Sequence, residues 1–185
     1  MIKNLGLQEY LSLGYIYLLI LGLITESIFY KLLGINILNY SSLSDILLSP
    51  ISLITGNPIL TVFLLVFFGL SFLYFRFFFR KFQKKKEGEP AKTLSSGKIM
   101  LISLAMLISP FIGVEIGRGT KLKSQIEAGT TKPDHLITFA DSRTKKVRVI
   151  GQNTVYIFFV PEKEKQVIIC PIGNAVFSIQ KLNLP

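Results

Sequence analysis

The chain has 185 residues, of which 50% are hydrophobic and only 17% charged, with a mean hydropathy of +0.50 and a formal net charge of +10. A soluble domain carries nearer a quarter of its residues as charges, so these values exclude a disordered chain and weigh against a self-contained soluble enzyme. A single cysteine, Cys170, excludes a disulfide scaffold. The long apolar runs fall in residues 1–117, while residues 118–185 have the mixture of an ordinary small soluble domain. The expected fold class is therefore a membrane α-helical part with three transmembrane helices, followed by a small all-β barrel or meander.

The first apolar segment, Leu11 to Phe29, carries one charge, Glu26, and is flanked by Tyr10 and Tyr30. As a helix it rises about 28 Å, close to the roughly 30 Å of bilayer hydrocarbon, and flanking tyrosines suit the headgroup belt. Glu9 before the run and the absence of an A-x-A site after it argue against a cleaved signal peptide. Between the first and second spans, residues 41–55 read as a short interfacial helix. A serine of Ser41-Ser42-Leu43-Ser44 caps it, Leu43, Ile46, Leu47, Pro50 and Ile54 fall near one face, and Pro50 limits it; a lid buried over the helices is the equal alternative to a helix lying on the membrane surface. Gly56-Asn57-Pro58 is a breaker, so the second span is placed at 59–79 and the third at 99–116.

The loop over residues 80–98 is basic, and Arg80, Lys81, Lys84, Lys85 and Lys86 are placed against anionic lipid headgroups. Nine Lys and Arg flank the spans on the side of the N-terminus and this loop, against five on the other. By the positive-inside rule this puts the chain in the cytoplasmic (inner) membrane as a multi-pass protein. The N-terminus is cytoplasmic and the C-terminal domain extracytoplasmic.

Two patterns in the spans bear on function. Ala105, Ser109, Gly113 and Gly117 recur every fourth residue, a small-residue ridge for close helix packing within this chain or against a second one. Glu26 and Glu115 fall at matching depths in the first and third spans, which run parallel. They are candidates for a shared ion or proton site, weighed against a plainer structural role beside Arg118.

Beyond Gly117, Lys121 to Ala128 extend the third helix and Gly129 ends it. Five strand-like runs follow, His135–Ala140, Lys145–Ile150, Thr154–Val160, Gln166–Ile172 and Ala175–Leu182, separated by turn residues. The third run is apolar on both sides and reads as central. Residues 118–185 carry eleven basic and five acidic residues. Lys146, Arg148 and Tyr156 mark a partner surface, with nucleic acid disfavoured because basic patches are not specific.

The residues Gly129, Pro133, His135, Ile137, Phe139, Asp141, Val149 to Asn153, Tyr156 to Val160 and Pro171-Ile172 resemble the tail of small polytopic bacterial membrane proteins of uncharacterised function. The resemblance implies a bacterial membrane origin. The order of three spans and a small barrel is also similar, at the level of fold, to small-conductance mechanosensitive channels. There a ridged third helix lines a pore, although this chain lacks that family's large second soluble domain.

Chemistry-bearing residues are sparse. One histidine, His135, and one cysteine exclude His-pair zinc and paired-thiol motifs, and no Gly-x-Ser-x-Gly elbow or phosphate-cradling loop occurs. No cofactor and no enzymatic activity are expected. The favoured function is an accessory or scaffold subunit of a membrane complex, docking through its third span and binding a partner with its basic β domain. The alternatives are a homo-oligomeric channel or transporter component and a membrane-tethered sensor of polyanions. Expected partners are anionic lipids and either a protein partner or a second copy at the third span.

Overall fold

The computed structural model describes residues 6–83 and 96–182. Helix α1 spans Leu7–Leu32. The Gly6 amide donates to the Glu9 carboxylate at 2.8 Å at its start. At its end the Ile35 amide closes back on the Tyr30 carbonyl at 2.9 Å, with Gly34 at φ +80° in the left-handed region. A 3-10 turn, Ile37–Asn39, leads to α2, Leu43–Gly56. Ser42 caps α2: the Asp45 amide donates to its hydroxyl at 3.2 Å, and its own amide donates to the Asp45 carboxylate at 3.0 Å.

Pro50 does not limit α2, which runs through it. Proline has no N–H, so the Ile46 carbonyl four residues back loses its helical donor. The Ser49 hydroxyl takes that place, donating to the Ile46 carbonyl at 3.0 Å. Helix α3, Pro58–Gln83, begins with proline at the first position, where no N–H is needed. The Asn57 side chain accepts the Leu60 amide at 3.2 Å. Helix α4, Ser96–Ala128, passes through Pro110 by the device already seen in α2, with Ser109 donating to the Met106 carbonyl at 3.4 Å. Gly129, at φ +67°, ends it as expected.

The expectation of three spans is corrected. Among the described residues, α1 alone is a helix long and apolar enough to cross a membrane. The second apolar run meets that measure only if α2 and α3 as far as Tyr74 are joined, and the Gly56-Asn57-Pro58 break bends them by 97°. The third lies within α4, whose later turns carry Lys121, Lys123, Gln125 and Glu127.

The five expected strands are present: β1 His135–Phe139, β2 Thr144–Gln152, β3 Tyr156–Pro161, β4 Ile168–Pro171 and β5 Val176–Lys181. They form one antiparallel sheet of order β4-β3-β2-β1-β5. This corrects the barrel. The meander β1 to β4 holds, but the short α5, Ile172–Ala175, carries the chain over to the free side of β1, so β4 and β5 are opposite edges and the sheet stays open. The middle strand is β2, not β3. Strand β3 is apolar on both sides because both of its faces are covered: Ile157 and Phe159 pack with Ile137 and Val147 on one face, and Phe158 packs with Phe29, Tyr30, Ile35 and Ile37 on the other.

The described residues form two compact units, one running up to Pro50 and resuming at Ile112, the other Ile51–Phe111. In the first, α1 meets α2 where a Cβ on Gly22 would collide with the Ile46 carbonyl oxygen. It meets α4 where a Cβ on Gly119 would lie 2.7 Å from Leu32 Cδ1. The C-terminal end of α1 also sits on the sheet. The pairing of β2 with β3 shifts register between Val149 and Gly151, and a Cβ on Gly151 would strike the Tyr30 hydroxyl. Gly151→Ala is therefore expected to destabilise the full chain by about 1–3 kcal/mol. Combining it with Tyr30→Phe, which removes the struck hydroxyl, should restore part of that loss in thermal unfolding of the full chain. Independent, additive effects of the two substitutions would contradict this packing.

Candidate functional site

The first unit holds a clamp between residues more than a hundred positions apart. The turn from β2 to β3 presents Asn153 and Thr154 to the segment joining α1 and α2. Asn153 Nδ2 donates to the Tyr40 carbonyl at 2.9 Å and to Ser41 Oγ at 3.2 Å. Thr154 donates to Asp45 Oδ1 through its hydroxyl at 2.6 Å and its amide at 3.3 Å. Asp45 Oδ2 takes the Ser42 hydroxyl at 2.6 Å. Aromatic rings cover the polar bonds: Tyr40 meets Tyr156 edge-on at 5.4 Å and Phe158 at 6.1 Å, and Tyr30 lies 4.9 Å from Phe158. Burial pushes the Asp45 carboxyl up, but the hydrogen bonds from Ser42 and Thr154 outweigh it and hold the group below its ordinary 3.8.

The structure brings the two candidate carboxylates, Glu26 and Glu115, into one neighbourhood. Glu115, 4% exposed, accepts Arg118 Nη1 at 2.7 Å, and the guanidinium lies 5.1 Å from the centre of the Phe29 ring. Glu26 hydrogen-bonds to Ser49, within electrostatic reach of Glu115 and Arg118. Three elements thus supply the cluster: α1 gives Glu26, α2 gives Ser49, and α4 gives Glu115 and Arg118. Arg118 neutralises one carboxylate, as the sequence spacing suggests. Ser49 is the member that sequence reasoning missed. Among the described residues, no group of three or more His, Cys, Asp or Glu side chains is arranged to hold a metal ion.

On the sheet, the proposed partner residues separate. Lys146 and Arg148 share one face of β2, Lys146 exposed and Arg148 paired at 3.0 Å with Asp134 Oδ2. Tyr156 is taken up by Tyr40. Asp134 is a second residue that sequence reasoning missed. Its Oδ1 accepts the Val149 amide at 2.9 Å and lies 2.8 Å from His135 Nδ1, so this carboxylate ties the start of β1 to β2 and holds the imidazole. Its oxygens are committed to those bonds, which makes the pair a structural one. The exposed Asp141 carboxyl is held below the usual range by hydrogen bonds from Arg143, and burial pushes the Cys170 thiol up.

Along α4, Ala105, Ser109, Gly113 and Gly117 are all exposed, and a Cβ built on Gly113 or Gly117 meets nothing within 4 Å. Lys84, Lys85 and Lys86 lie outside the described residues, as do the side chains of Arg80 and Lys81. No family model, curated protein or solved structure matched the chain.

The sign of the Asp45 contribution follows from its lowered pKa. The stabilisation is present above the unfolded value and lost as pH falls through the folded one. Asp45→Asn should lower the thermal midpoint at neutral pH. The gap from the unaltered chain should close as the solution is acidified through the depressed Asp45 pKa, below 3.8. A gap that persists undiminished at that acidity would show that the charge contributes nothing.

Proposed function

We propose that this chain is a non-enzymatic multi-pass subunit of a membrane complex and that it docks on its partner through the small-residue ridge of α4. The observation that carries the reading is the exposure of that ridge. Small residues on a helix in lipid permit close backbone approach, and Ala105, Ser109, Gly113 and Gly117 stand open along α4. Lipid as the solvent of the helices is supported by their apolar exposed faces. Leu11, Leu13, Ile16 and Ile20 are exposed on α1, and Ile59, Phe63, Leu70, Phe72 and Phe77 on α3. A helix with apolar residues all round belongs in a protein core or a bilayer. On this reading α1, long and apolar enough to cross, spans the cytoplasmic membrane, and the apolar faces of α3 and of the leading part of α4 are solvated by lipid. The excess of Lys and Arg in the 80–98 loop and near the N-terminus keeps those segments cytoplasmic, with the sheet outside.

A second reading, a homo-oligomeric channel or transporter component, is favoured by the two unpaired edges of the sheet, β4 and β5, which a further copy can extend.

Both readings place Ser109 at a contact between chains. In a Cys170→Ser background, Ser109→Cys should form oxidative crosslinks in native membranes. Products at multiples of the chain's own mass support the channel, and products with neighbours of other sizes support the accessory subunit. Gly113→Leu should abolish either set while leaving the thermal midpoint of the chain unchanged. An absence of any Ser109→Cys crosslink would sink the docking role of the ridge.

A further inference from the structure

Ser49 stands between a backbone carbonyl and a carboxyl group, and it has one hydroxyl proton to give. On one side is the Ile46 carbonyl, whose helical donor Pro50 lacks, and to which Ser49 Oγ donates at 3.0 Å. On the other is Glu26 of α1, hydrogen-bonded to the same hydroxyl. Both bonds are made together only when Glu26 carries a proton. The Glu26 O–H then donates to Ser49 Oγ, and Ser49 donates to the Ile46 carbonyl. An ionised Glu26 offers acceptors alone, so Ser49 turns to it and the carbonyl loses its donor.

The charges around this carboxyl favour the first arrangement. Glu115 and Arg118 reach it from α4, Tyr30 from its own helix, and Ser49 from α2. Arg118 is the one cation of that set, and its Nη1 is already 2.7 Å from the buried Glu115. With a proton on Glu26 the cluster is neutral. Without one, a second carboxylate shares a single guanidinium in partly buried surroundings. The Ile46 carbonyl also sits at a sensitive place. Its oxygen abuts α1 at Gly22, where a Cβ would collide, so its hydrogen bonding bears on the contact between α1 and α2.

We infer that Glu26 and Ser49 form a proton-sensitive switch between α1 and α2: protonated Glu26 leaves Ser49 on the Ile46 carbonyl, and loss of the proton draws Ser49 away and loosens the contact at Gly22. The inference narrows the shared ion or proton site to a proton on Glu26, with Glu115 committed to Arg118. It goes beyond the docking role of α4 and rests on packing within the first unit alone.

Infrared difference spectra of the full-length chain, taken between neutral and alkaline buffer, test it. The unaltered chain should show at neutral pH a carboxylic-acid C=O band that shifts in D2O and disappears on alkalisation. Glu26→Gln should lose this band, and Ser49→Ala should keep it at a higher frequency, because the acid has lost its hydrogen-bond acceptor. Amide hydrogen exchange in α2, corrected for the intrinsic effect of pH, should quicken as the band disappears, and Glu26→Gln should show no such change. The absence of a neutral-pH band, or a band that survives Glu26→Gln, overturns the proton on Glu26. A band that Ser49→Ala does not move, or exchange in α2 that ignores its loss, overturns the switch. If Glu26→Gln does not fold, the displacement of the band in Ser49→Ala assigns it, since Glu26 is the carboxyl hydrogen-bonded to Ser49.

Discussion

Tyr30 and Tyr40 close on Phe158 from two directions, one ring from the last turns of α1 and one from the segment that leads to α2. Phe158 is fully buried although β3 is one strand from an edge of an open sheet. An open sheet of five short strands has two faces to cover. The inner residues Ile137, Val147, Ile157 and Phe159 cover one of them among themselves and their neighbours. The other face is closed only because helical residues lie on it. Without those aromatic contacts Phe158 and Tyr156 would face solvent, and Asn153 and Thr154 would lose their partners on the 40–45 segment. Gly151 belongs to the same arrangement, since the ring of Tyr30 reaches the strand only where there is no side chain.

A second constraint is the survival of helices through proline. Both interior prolines are preceded by serine, Ser49-Pro50 and Ser109-Pro110, and in each case the serine donates to the carbonyl that proline leaves unpaired. In lipid an unpaired carbonyl costs several kcal/mol, so a serine adjacent to the proline is a local remedy that needs no neighbouring helix. Ser49 has a further commitment, to Glu26. Its single hydroxyl proton serves the Ile46 carbonyl or the Glu26 carboxylate, one at a time. This brings the middle of α2 to the cluster containing Glu115 and Arg118.

Most elements were legible because their signals are local. The strands follow from alternation and turn residues, the end of α4 from Gly129, the cap of α2 from Ser42, and the ion pair of Glu115 and Arg118 from their spacing on one helix face. The closure of the sheet was not legible. Whether β5 returns to β4 or to the far side of β1 depends on the path of α5, and five short alternating runs are compatible with both. The clamp was not legible either. Asn153 and Thr154 read as ordinary turn residues, and their partners lie 109 to 113 positions away. Pro50 was over-read: a proline signals a break when its lost hydrogen bond has no substitute, and the serine beside it supplies one. Asp134 escaped notice because its contacts are to the neighbouring His135 and to β2, neither of which forms a spaced motif.

The exposed apolar residues divide by the company they keep. On α1 and α3 they are large and continuous, with few polar groups between them, which suits acyl chains. Along the ridge of α4 the residues are small and would contribute little to a lipid contact, since a glycine offers no side chain to solvate. Small residues at those positions leave room for another backbone to approach closely. At the start of α2, Leu43 and Leu48 are exposed, and on the β2–β3 turn Val155 follows Thr154. The clamp joins the β2–β3 turn to the start of α2 through Thr154 and Asp45, two pieces of the chain that would otherwise move separately.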